Sequence, residues 1–139
     1  MAKITEKVIT NCYTERKHSK EIGMNFEDMS EEEIWGIANP IMDNLMAAST
    51  NIDHENHVKD FTDRAKAIVT KEHLEKVCKK FQCEKGQWLH REPVAVLRRP
   101  DSDAIIWKQF CSNAKGEYVA EIVLTYKNNR FLVVHAMVF

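Results

Sequence analysis

Residues 117–139 read EYVAEIVLTYKNNRFLVVHAMVF, and the reading of this stretch decides the fold. Two runs rich in β-branched, aliphatic and aromatic residues flank Asn128-Asn129, and asparagine enters the left-handed backbone region at little steric cost. A two-residue turn there predicts an antiparallel hairpin that pairs Tyr126 with Phe131, Leu124 with Val133, Ile122 with His135 and Ala120 with Met137.

The pattern extends backwards from that hairpin. Strands are predicted over 88–98, 104–113, 117–126 and 130–139, linked by RPDSD, NAKG and NN. Connections this short demand antiparallel neighbours in a meander. Asn113-Ala114-Lys115-Gly116 reads as a type I turn with a bulged glycine, which would pair Phe110 with Ala120, Lys108 with Ile122 and Ile106 with Leu124. One face then holds Ile106, Lys108, Phe110, Tyr118, Ala120, Ile122, Leu124, Val133, His135 and Met137. The other holds Ile105, Trp107, Val119, Val123, Leu132, Val134, Ala136 and Val138, with Gln109, Glu121 and Thr125 among them. A one-residue slip in the NAKG hairpin would exchange the faces of the second strand. Both faces read as largely apolar, and one layer of helices covers only one of them. The other calls for a second copy, so a homodimer is expected through Trp107, Val123, Leu132 and Val134.

Ahead of the strands the periodicity is helical. Ile4, Val8 and Cys12 give an amphipathic stretch over 3–20, and 21–29 is a connector. Ser30 with Glu33 forms a capping box, after which Ile34, Ile37, Ile41, Leu45 and Ala48 recur at helical spacing. Pro40 should kink or divide that helix. Asp53 can cap a further helix with Val58, Phe61 and Ala65 inward, and Thr70 another with Leu74, Val77, Cys78 and Phe81 inward. Gly86 in CEKGQ ends the helical half. Helices first and a meander afterwards predict an α+β domain over 30–139, its helices on the concave face of a curved four-stranded sheet, preceded by an N-terminal element over 1–29.

Composition narrows the function classes. The 139 residues suit one domain, with 44% hydrophobic and 29% charged residues. Twenty basic against twenty-one acidic residues leave a net charge of −1, which disfavours nucleic acid and anionic membranes as partners. No stretch has the length of a membrane span or a secretory signal, and four scattered cysteines without a CxxC pair suit reduced thiols, so a cytoplasmic location is expected. The four glycines make no GxG arrangement and no phosphate loop, and no cofactor is expected.

The helix from Ser30, the turn-and-helix stretch AASTNIDHENHVKDF, the helix opening TKEHLEKVCKKF and the long meander to the C-terminus resemble the nuclear transport factor two-like superfamily, also described as the cystatin-like α+β cone, over residues 30–139. The resemblance implies a pocket between helices and concave sheet, dimerisation through the sheet, and functions ranging from isomerases, dehydratases and cyclases to scaffolds without chemistry. Fold alone does not choose among them.

Several residues are candidates for chemistry. His54 and His57 share a helix face at i and i+3, but no further ligand at metal-site spacing accompanies them, and they read as the polar side of a helix. Lys108 and His135 flank Ile122 on the predicted helix-facing side, where burial would lower both pKa values and ready either for proton transfer. Phe110, Tyr118 and Tyr126 complete the expected pocket, with a tyrosine placed to polarise a carbonyl oxygen. No carboxylate base joins them, and Glu121 faces the other way. Cys111 has no basic neighbour to make it a thiolate. The expectation is a homodimer whose pocket binds a small apolar ligand without catalysis. The alternatives are an acid–base isomerase, dehydratase or cyclase acting through His135 or Lys108, and a protein-interaction module.

Overall fold

The structure is a computed structural model that describes residues 26–139. The amphipathic helix expected over 3–20 lies outside the described residues. A 3₁₀ turn at Phe26–Asp28 leads into α1 (Glu31–Asn51), α2 (His54–His57), α3 (Asp63–Ile68) and α4 (Lys71–Lys85). The strands β1 (Trp88–Arg98), β2 (Asp103–Cys111), β3 (Ala114–Lys127) and β4 (Arg130–Val138) follow as one antiparallel meander in the order β1-β2-β3-β4. The α+β class and the four-stranded antiparallel sheet are as the sequence predicts.

The helix starts follow local chemistry. Ser30, Asp53, Thr62 and Thr70 each accept a hydrogen bond from an amide of the first turn through their side-chain oxygen. The segment expected as one helix after Asp53 is divided into α2 and α3, because Phe61 leaves the helix to form a parallel bridge with Val133. Val58, Phe61 and Ala65 are buried even so. Pro40 does not divide α1, which runs unbroken over 21 residues with Ile34, Ala38, Met42, Leu45 and Ala48 buried. That burial outweighs the one amide donor missing at Pro40. Gly86, at φ +79°, ends α4, and a Cβ there would lie 2.3 Å from Ser112 Oγ.

The sheet departs from the sequence reading in register. Asn128 and Asn129 do form the two-residue turn, both at positive φ, and Tyr126–Phe131 and Leu124–Val133 pair as expected. Beyond that point β4 carries a bulge. Val133 opposes Leu124 while His135 opposes Val123, so Val134 is the extra residue and the rest of β4 turns over. The β2–β3 turn falls at Ser112-Asn113, with an irregularity on the Gly116 side, so Trp107 pairs with Ala120 and Ile105 with Ile122. This is three residues from the expected register, and an odd slip reverses every side chain of β2.

The inner face therefore holds Ile105, Trp107, Ala120, Ile122, Leu124 and Val133, none more than 1% exposed. Trp107, expected at a dimer seam, instead anchors α1. Its indole Nε1 donates to Asn39 Oδ1 at 3.0 Å, Trp35 meets it edge-on at 5.5 Å between centroids, and the Arg91 guanidinium lies 5.4 Å over its ring. Lys108 and His135, expected inside, share the outer face. Lys108 pairs with Glu117 at 3.1 Å, and the His135 Nε2–H donates to Glu121 Oε1 at 3.0 Å. Phe110 also turns outward and stacks on His90.

This arrangement makes a prediction that separates the two registers. Trp107→Ala should cost about 3–5 kcal/mol in chemical denaturation, as for a buried aromatic. Lys108→Ala should cost less than about 1 kcal/mol, as for an exposed ion pair. Comparable losses for the two, or a reversed order, would contradict the inward placement of Trp107.

Candidate functional site

A pocket of about 430 Å³ opens between the second half of α1, the length of α4 and the sheet. Met42, Leu45, Met46 and Ser49 of α1 form one wall, and Leu74, Val77, Cys78, Phe81 and Gln82 of α4 form the other. Trp88 closes one end against Phe81, their rings 4.2 Å apart, and Ala136, Met137 and Val138 of β4 lie along the sheet side. Val77 and Met137, each about half exposed at 47% and 49%, mark the mouth. The helical spacings that place Met42, Leu45, Met46 and Ser49 on one wall and Leu74, Val77, Cys78 and Phe81 on the other are those that build any amphipathic helix. The pocket is the space the two apolar stripes leave unfilled.

No aspartate, glutamate, lysine or arginine lines the pocket. Its polar groups are Ser49, His57, His73, Cys78 and Gln82. Gln82 Nε2 donates to the Ser49 and Thr50 carbonyls at the end of α1, which ties α4 to that terminus. Burial pushes the Cys78 thiol above its ordinary pKa, so it is not a thiolate nucleophile. His57 meets Phe61 edge-on, and its Nδ1 is buried without a hydrogen-bond partner. Removal from water, with the nearby His54 adding to the effect, holds the His57 pKa down at about 4. At neutral pH His57 is a neutral imidazole with one polar atom still to be satisfied.

None of Lys108, Phe110, Tyr118, Tyr126 and His135 lines this pocket, and neither does Ile122. Lys108, Phe110 and His135 are on the other side of the sheet. Ile122 is fully buried, and Tyr126 packs on Phe131 at 4.9 Å. Tyr118 lies under Lys85, its hydroxyl donating to the Lys115 carbonyl. The expected acid–base cluster is not assembled. His54 and His57 part company as well: the Nε2–H of His54 donates to the Val69 carbonyl at 2.8 Å, fixing the α3–α4 junction. Among the described residues no group of three or more His, Cys, Asp or Glu side chains could hold a metal ion. Asp103 is perturbed as well. It is fully buried, and burial raises its pKa against the opposing pull of the Arg99 backbone amide and the Arg98 and Arg99 charges, but it lies outside the pocket lining.

Sequence reasoning missed the α1 and α4 walls as a ligand site because their residues read simply as core. The one available signal was the methionine pair Met42 and Met46 at i, i+4, a flexible side chain often found at adaptable surfaces.

Comparison with known proteins supports the fold alone. No protein-family model matches the sequence, and a search of the curated proteins finds no match. Among solved structures, a SEC-C motif containing protein from Rhodopseudomonas palustris superposes with a TM-score of 0.52 at 10% identity, over 70% of this chain and 74% of that one. The Bdellovibrio bacteriovorus protein Bd1075 gives 0.50 at 11% identity, over 80% of this chain and 44% of that one. A DUF4783 family protein from Bacteroides uniformis gives 0.45 at 11% identity, over 69% of this chain and 93% of that one.

The His57 environment predicts a pH signature. A folded pKa below the unfolded value of about 6.5 means that protonation favours the unfolded chain. Stability from neutral His57 is therefore complete above about pH 6.5 and declines as pH falls toward 4. NMR titration of the imidazole should place its midpoint near pH 4. A midpoint near 6.5 would mean that the ring is solvated and does not face a dry pocket.

Proposed function

We infer that the protein is a non-catalytic binding protein whose pocket between α1, α4 and the sheet takes a small, uncharged and largely apolar molecule. One observation carries this reading: a pocket of about 430 Å³, within the range of small-molecule sites, lined without an aspartate, glutamate, lysine or arginine. A charged ligand would be stripped of water there with nothing to pair against, which is costly. A ligand with one hydroxyl or carbonyl would meet Ser49 or Gln82 while its apolar body met Leu45, Leu74 and Phe81. The acid–base alternative is not supported, since Lys108 and His135 belong to the outer face and no carboxylate lines the pocket.

Helices preceding a four-stranded meander, with a pocket between them and the sheet, also support kinship with the nuclear transport factor two-like superfamily. We place the protein in the cytoplasm, because Cys78 and Cys111 are buried free thiols and Cys83 an exposed one, as suits a reducing compartment. No helix among the described residues is long and apolar enough to cross a membrane. A second reading, pairing of two copies through the outer sheet face, rests on Ile106, Phe110, Val119, Val123 and Leu132, which are half-buried there in a single chain. The exposed bulge residue Val134 adds to it. Ion pairs of Lys108 and Glu121 interrupt that surface, so the apolar area is smaller than the sequence reading supposed.

The pocket reading is tested with N-phenyl-1-naphthylamine, a neutral apolar dye whose fluorescence rises out of water. The wild-type chain should bind it, and Val77→Glu, which sets a charge at the half-exposed mouth without disturbing the core, should weaken binding at least about tenfold, or about 1.4 kcal/mol. Absence of dye binding by the folded wild-type protein would remove the reading.

A further inference from the structure

The strand that borders the pocket, β4, is an edge strand of the sheet among the described residues. Phe139 and Val119 exchange both of their N–H···O bonds, so Met137 opposite Glu121 and His135 opposite Val123 continue the hydrogen-bonded series. The N–H and C=O groups of Ala136 and Val138 consequently point away from β3, and among the described residues nothing bonds to them. Further up the same edge the chain has added a short piece of itself: Val133 donates to the Asp60 carbonyl at 2.7 Å and accepts from Thr62 N at 3.0 Å. The ladder is covered at Val133 and open below it.

Among the described residues the open part is guarded only by the bulge at Val134 just above it. It has no lysine, no proline and no covering helix bond, and Met137 and Phe139 are 49% and 58% exposed, with Val77 of α4 at 47% across the mouth. Ala136 and Val138 also line the pocket, so a strand laid against β4 would send every second side chain toward it. We propose that the free edge of β4 at Ala136–Val138 and the pocket beside it form one binding site for an extended peptide segment with apolar side chains at alternate positions. The edge reads the peptide backbone through a two-residue ladder, and the uncharged pocket receives one apolar side chain. This site rests on the pocket reading above and adds to it the class of ligand: the apolar body in the pocket is a side chain carried on a β-strand.

The test uses two probes on the full chain. One is a heptapeptide of alternating valine and threonine with a lysine at each end. The other is the same peptide N-methylated at alternate residues, which keeps the side chains and removes the donors of one edge. The unmethylated peptide should slow hydrogen exchange at the Ala136 and Val138 amides, which exchange quickly in the free protein, and should displace N-phenyl-1-naphthylamine. In one of its two methylation phases the methylated peptide should bind at least about tenfold more weakly. Equal binding of all forms, or dye binding with no peptide binding at all, would overturn the edge site and leave the pocket reading intact. Amides of Ala136 and Val138 already protected in the peptide-free protein, in a concentration-dependent way, would overturn it in favour of a second copy on the same edge.

Discussion

The inward placement of Trp107 organises the molecule. Its ring lies on the sheet under α1, held at one edge by the Asn39 amide, met by Trp35 and covered by Arg91, which in turn ion-pairs with Asp43 of α1. One large side chain thus joins β2, β1 and α1. Because residues alternate along a strand, putting Trp107 inside puts Ile105 inside and Ile106 and Lys108 outside. Pairing with Ala120, a small residue, leaves room for the indole, and the same register brings Ile122 and Leu124 to the core. The two faces of the sheet and the outward placement of Lys108 follow.

The pocket is a consequence of how the helices meet that sheet. The first half of α1 is held over Trp107 through Trp35 and Asn39, while its second half and α4 wall the cavity along which Ala136, Met137 and Val138 of β4 lie. Gln82 ties α4 to the end of α1 through backbone carbonyls, and Phe81 rests on Trp88 at the pocket's far end. The lining is mostly the apolar stripes of α1 and α4, with Ser49, His57, His73, Cys78 and Gln82 as its polar groups and no Asp, Glu, Lys or Arg. Its chemistry is that of a core left partly unfilled.

Much of this was legible in the sequence. The capping residues Ser30, Asp53 and Thr70, the Asn128-Asn129 turn and the meander after Gly86 are signals read over a few neighbouring residues, and they place the elements. What was not legible was register. The segment Ser112 to Gly116 admits two turn placements with acceptable residues at each, and the registers that result differ by three positions. The bulge at Val134 was equally hidden, since Val133 and Val134 are the same residue and the hydrophobic pattern gives no reason to skip either. One physical warning was present: the expected register buried Lys108 and His135 together among aliphatic side chains. The observed register removes both from the interior and gives each a carboxylate partner. Ala136 and Val138 gained their place on the pocket side by the same bulge.

The central claim, that β2 presents Trp107 and not Lys108 to the helices, is tested most directly by cross-strand backbone NOEs between β2 and β3. Contacts linking Trp107 with Ala120 and Ile105 with Ile122 are the expected result. Contacts linking Phe110 with Ala120 and Lys108 with Ile122 would contradict it, returning Lys108 to the interior and moving Trp107 to the outer face.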